Sequence, residues 1–129
     1  MNKEIKFRGK CVETNKWIYG YYAKTVLGNE VPLCVADCRI HDIIIKDGSM
    51  YYVKSETVGQ YIGTNDMYNK EVYEGDVIRS YNYSGQAFEK LSVVEYDESY
   101  LIYRGIDIEM IDCEEIIGNI YENPELMNL

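Results

Sequence analysis

A chain of 129 residues with 22 Asp and Glu against 13 Lys and Arg has the size of one domain. Its net charge of −9 is a poor match for a phosphate backbone, which basic surface must neutralise. Apolar runs such as Ile43 to Ile45 fall far below the ~20 residues of a membrane-spanning helix. The N-terminus, MNKEIKFRGK, is basic but lacks the apolar segment of a secretory signal, so a cytoplasmic chain with reduced thiols is expected.

Isoleucine, valine and 14 tyrosines dominate the apolar content, and β-branched and aromatic side chains suit a pleated surface better than a helix. Ile5 and Phe7 alternate with Glu4, Lys6 and Arg8, the pattern of a strand with one face in water. A turn at Glu13 to Lys16 leads to a second strand with Trp17, Tyr19 and Tyr21 on one face, which predicts an opening hairpin. Gly28-Asn29 marks a turn, Val31 to Ala36 is a short apolar run, and Pro32 fits an edge or a strand start. Asp47-Gly48 between Arg39 to Ile45 and Met50 to Val53 predicts a tight hairpin, because such turns need positive φ.

Thr57 to Ile78 reads as a strand, a long turn and a second strand, with Gly75-Asp76 restarting the chain into Val77 to Tyr81. A turn at Asn82 to Gly85 follows. Leu91 to Tyr96 and Tyr100 to Arg104 flank Asp97-Glu98-Ser99 as a further hairpin. Ile106, Ile108 and Met110 alternate with Asp107 and Glu109 as an amphipathic strand, and Ile116 to Tyr121 closes the series before Asn123-Pro124. The expectation is a mainly β chain. Residues 1–56 form an N-terminal β-hairpin segment packed on the rest, and 57–129 a small antiparallel, SH3-like barrel. A short helix over Val35 to Asp42 or Asp112 to Ile117 would make it α+β.

Chemistry-bearing patterns are sparse. Cys34, Cys38 and His41 have a spacing that could supply zinc ligands, with Cys11 or Cys113 as a fourth, yet isolated free cysteines commonly act as small buried hydrophobes. No nucleophile turn accompanies His41, and no phosphate-loop phrase accompanies Gly59, Gly63 and Gly75. Glu74 with Asp76, or Glu114 with Glu115, could pair for acid–base work, although an aspartate after glycine usually serves its own turn. No catalytic residue and no cofactor is therefore assigned. Trp17, Tyr51, Tyr52, Tyr81 and Tyr83 are the candidate binding residues, because tyrosine and tryptophan join an apolar body to a polar tip. With strand edges to cover, a homo-oligomer is expected.

The phrases VGQYIGTNDMYNKEVYEGDVI and IIGNIYENPEL, preceded by IKFRGK and KWIYGYY, resemble in their order the YopX family of small phage and prophage proteins. The resemblance runs from end to end apart from Ala23 to Ser55, and departs at Gly9-Lys10, where some members carry an alanine and a tryptophan. It implies a mostly β fold and a phage origin, and brings no catalytic or binding residue with it. The expected function is a non-enzymatic accessory module that binds a protein of host or phage, or itself. A carboxylate enzyme with a cleft between the two segments is one alternative. The other is a nucleic-acid-associated protein using Lys3, Lys6, Arg8, Lys10 and Lys16, or an acidic DNA mimic.

Overall fold

The computed structural model describes residues 4–26 and 40–127, nearly all of them in antiparallel strands, tight turns and three short 3-10 helices. Two compact units divide the chain, one over Ile5–Gln60 and the other made of Tyr61 onward together with Glu4. No helix among the described residues is long and apolar enough to cross a membrane.

In the first unit, β1 (Phe7–Lys10) pairs antiparallel with β2 (Trp17–Val26), Phe7 opposite Gly20 and Lys10 opposite Trp17. This is the opening hairpin that the alternation around Phe7 and Trp17 predicts. β2 continues against β3 (Ile40–Lys46), which turns into β4 (Ser49–Tyr52) at Asp47-Gly48. Both turn residues have positive φ, 50° and 79°, as a two-residue hairpin of this register requires. Val12 N donates to Tyr52 O and Lys54 N to Lys10 O, so the chain after β4 returns to the end of β1 through the single bridge Cys11–Val53. Ile43 and Ile44, successive residues on opposite faces of β3, are both buried, as are Cys11 and Val53. The two hairpins expected of this segment are thus joined into one sheet by the pairing of β2 with β3. Val31 to Ala36, Gly28-Asn29 and Pro32 lie outside the described residues.

Of β5 (Gly59–Asn65), Gln60 lies opposite Phe7 in the first unit; in the second, Tyr61 pairs with Tyr73 of β6 (Glu71–Tyr73). The second unit holds β7 (Asp76–Ser80) between β11 (Glu114–Asn119) and β8 (Ser92–Val93), and a ribbon of β9 (Glu95–Asp97) and β10 (Ile102–Arg104). Ile62, Val72, Ile78 and Val94 make its buried core, with Tyr103, Ile106 and Ile116 packed against it.

The mainly β class holds, but the sheets of the described residues do not close into the expected barrel. The reason lies at β11. Its Ile116 N–H goes to the Asp66 carboxylate at 3.0 Å, and its Glu114 carbonyl accepts from Met67 N, so a turn rather than another strand occupies that edge. The expected strand at Ile106 to Met110 is also corrected. Asp107 accepts from Glu109 N and Met110 N, which caps a 3-10 helix over Ile108–Cys113. In the β9–β10 ribbon, Asp97 pairs with Ile102 and belongs to the strand, so the turn runs over residues 98–101 with Leu101 at φ 56°.

Candidate functional site

At the C-terminal end of β7 the chain leaves the sheet but stays paired with itself. Tyr81 bridges to Ala87, and Phe88 N donates to Ser80 O at 2.8 Å. Asn82 organises the tip, its side-chain oxygen accepting from Ser84 N at 3.0 Å and Gln86 N at 2.9 Å. Asparagine does this readily because its side chain can hydrogen-bond its own backbone two residues on. The result is an arm that holds Tyr81, Tyr83 and Phe88 on one short piece of chain.

Opposite this arm stands the 3-10 helix capped by Asp107, which supplies Met110 and Cys113. Between them is a cavity of about 540 Å³ lined also by Ser80, Lys90, Ser92, Asp107 and Glu114. Its volume lies within the range of small-ligand sites, roughly 300–1,000 Å³. Tyr81 and Tyr83 face a second cavity of about 380 Å³ as well, shared with Met67, Tyr68 and Asp112. Both tyrosines therefore line two hollows.

Glu114 is the lining residue that is both charged and buried. The β7–β11 register sets Glu114 opposite Ser80, and the Ser80 hydroxyl donates to Glu114 Oε2 at 2.6 Å. Glu114 Oε1 receives Asp107 N at 3.4 Å, a long contact. Only 3% of Glu114 is exposed, and this burial holds its carboxyl above the ordinary value, with the Asp107 charge adding to the shift and the two donors opposing it. Next along the strand, Glu115 accepts from the Tyr81 hydroxyl at 2.5 Å, which raises that phenol.

Of the sequence candidates, Tyr81 and Tyr83 come together here, with Tyr83 87% exposed and its hydroxyl 3.3 Å from Met110 Sδ. Trp17 lies on β2, half-buried under the Arg8 guanidinium at 4.5 Å from the ring centre, with Lys10 at 5.7 Å. Tyr51 and Tyr52 are half-buried on β4, opposite Ile44 and Ile43, and Tyr52 packs its ring on His41 at 5.4 Å. Of the proposed zinc ligands, Cys34 and Cys38 lie outside the described residues. Cys11 is buried with its thiol lowered by a hydrogen bond from Thr14, and Cys113 lines the cavity. Among the described residues no three His, Cys, Asp or Glu side chains gather as a metal site. Asp76 serves its own turn, accepting Tyr73 N at 2.8 Å.

Sequence reasoning passed over Phe88, Met110, Asp107 and Lys90 as partners of this site. A signal for Glu114 was present. Adjacent residues of a strand face opposite sides, so of Glu114 and Glu115 one had to point toward the sheet's covered face.

Residues 6–128 match the family model described as YopX protein. No curated protein matches the chain. The crystal structure of protein EF1440 from Enterococcus faecalis is similar in fold, with a TM-score of 0.53 and 20% identity, covering 98% of this chain and 99% of that one.

Proposed function

We propose that this chain, which belongs to the YopX family, is a non-enzymatic accessory protein of a phage or prophage that binds a protein partner through the aromatic arm of its second unit. The observation that carries the reading is the cavity beside Tyr81, Tyr83 and Phe88. Tyr83 and Phe88 are 87% and 53% exposed, although aromatic rings of this size normally contribute buried area. Exposed aromatics around a concave, mostly apolar surface are the composition of an interface core. The chain's net charge of −9 favours a partner with a basic contact surface.

The test is capture of tagged protein from nuclease-treated lysate of phage-infected cells, run beside the Tyr83→Ala variant. A protein retained by the wild type and lost with Tyr83→Ala supports the reading; equal retention by both places the interface elsewhere. If the recovered partner is the chain itself, sedimentation of the purified protein separates a self-assembling module from the 15.1 kDa monomer.

A second reading is favoured by one observation, the buried Glu114 beside Asp107 in the same cavity. It is a carboxylate enzyme acting in this pocket. Capping engages only Oδ1 of Asp107, which accepts Glu109 N and Met110 N, so Oδ2 is left to act with Glu114 on a guest. Turnover abolished by Glu114→Gln in a screen of hydrolase substrates would move the conclusion to this reading.

A further inference from the structure

We propose that the cavity is a receptor for one cationic side chain, a lysine or an arginine, of the partner polypeptide, with its stem against Phe88 and Met110 and its charged head directed at Glu114. This rests on the protein-binding reading above and names the chemistry that the partner must present.

Three features of the site converge on a cation. Tyr81, Tyr83 and Phe88 line the walls, and aromatic faces attract positive charge through their quadrupole. The lining also holds a carboxyl, Glu114, that is only 3% exposed, yet one of its oxygens is under-used. Ser80 donates to Oε2 at 2.6 Å, whereas Oε1 has only the 3.4 Å approach of Asp107 N. A carboxylate oxygen can accept two hydrogen bonds, so Oε1 retains capacity for an N–H donor arriving from the cavity. Finally, lysine and arginine combine an apolar stem with a charged tip, which matches a cavity lined by Phe88 and Met110 and by a buried carboxyl.

A neutral guest would bury the carboxyl further without compensating it, while a cation offsets the desolvation of Glu114. Burial already holds this carboxyl above its ordinary value, so a cation must displace a proton to bind at low pH. Affinity should rise with pH as Glu114 ionises. The groups that share the cavity with Glu114 are Asp107, Lys90, Cys113, Tyr81 and Tyr83. Asp107 adds negative charge and favours the same guest. Lys90 opposes it, being an exposed cation of the chain's own at the lining.

The experiment is an amide-shift titration of the full chain with N-acetyl-lysine methylamide and with its neutral norleucine counterpart. The lysine probe should shift Tyr83 and Glu114 and bind roughly tenfold more tightly than norleucine, the scale of a partly desolvated cation–aromatic contact. Glu114→Gln should remove that preference and flatten its pH dependence. Lys90→Ala should strengthen lysine binding, and Tyr83→Ala, at an exposed position where the fold is insensitive, should weaken it. Equal binding of the two probes, shifts confined to other residues, or a lysine preference that survives Glu114→Gln would each overturn the inference. The outcomes separate from those of the capture experiment. A partner lost with Tyr83→Ala but no lysine preference leaves the binding module standing and removes its cation receptor. A lysine preference without any partner does the reverse.

Discussion

Gly105 offers a test in which backbone strain and steric exclusion can be measured apart. Its φ is +87°, and a Cβ placed there would lie 1.9 Å from the carbonyl oxygen of Val93 and 2.6 Å from its carbon. Gly85, in the same unit, has a nearly equal φ of +84° with nothing within 4 Å of a Cβ. Both alanine variants carry the left-handed penalty of about 1–2 kcal/mol, reduced by somewhat under 1 kcal/mol for the stiffer unfolded chain. Gly85→Ala should therefore cost about 1 kcal/mol.

Gly105→Ala must in addition push the Val93–Val94 peptide aside. That peptide is anchored by Val94 N donating to Asp76 O, and Val94 O accepts from Gly75 N, both at 2.9 Å. Weakening two such bonds adds about 1 kcal/mol each, so the variant should lose about 3 kcal/mol in total. In urea the two midpoints should differ by roughly 1 M, given slopes of about 1–3 kcal/mol/M. Midpoints of Gly105→Ala and Gly85→Ala that agree within about 0.3 M, on the same slope scale, would refute the steric account.

Three further outcomes follow from the second unit. Asp66→Asn should cost about 1–3 kcal/mol in the same urea assay, because Asp66 Oδ1 accepts Tyr68 N and Lys70 N while Oδ2 accepts Ile116 N, and an amide nitrogen must face one of these donors. Ile78 is fully buried in the core, so Ile78→Ala should cost about 2–5 kcal/mol and Ile78→Val about 0.5–1.5 kcal/mol; equal effects would contradict its packing. Glu114 gives a pH signature. Burial raises its folded carboxyl above the ordinary glutamate value, so between that value and the raised one the folded chain keeps a proton that the unfolded chain has lost. Stability should fall as pH rises through this window and level off above it. Glu114→Gln lacks that fall, so its stability relative to the wild type should improve with pH; a difference constant with pH would remove the assignment.

Where local chemistry decides the backbone, the sequence was a sufficient guide. Asp47-Gly48 can hardly do anything but turn between two β-branched runs, and the alternation at Phe7 and around Trp17 leaves one pairing face. The region around Ile108 misleads for an instructive reason. Its apolar and acidic residues alternate with the period of a strand, but the Asp107 carboxylate reaches the next backbone N–H groups and offers them a helical turn instead. Barrel closure failed to appear because it depends on which strand meets the edge of β11, and a carboxylate from 50 residues away took the place of a strand. The site was legible only in part for the same reason. Tyr81 and Tyr83 stand close in sequence, whereas their meeting with Glu114 is set by the register of β7 on β11, a pairing across 34 residues.

Trp17, stacked beneath Arg8, is the single indole of the chain and belongs to the unit over Ile5–Gln60. The protein thus carries its one indole in one unit, while the aromatic arm of the other is built from tyrosine and phenylalanine. Indole emission recorded during unfolding reports the first unit, tyrosine-ring resonances at Tyr81 and Tyr83 report the second, and the two records together tell whether the units melt as one cooperative body or as two.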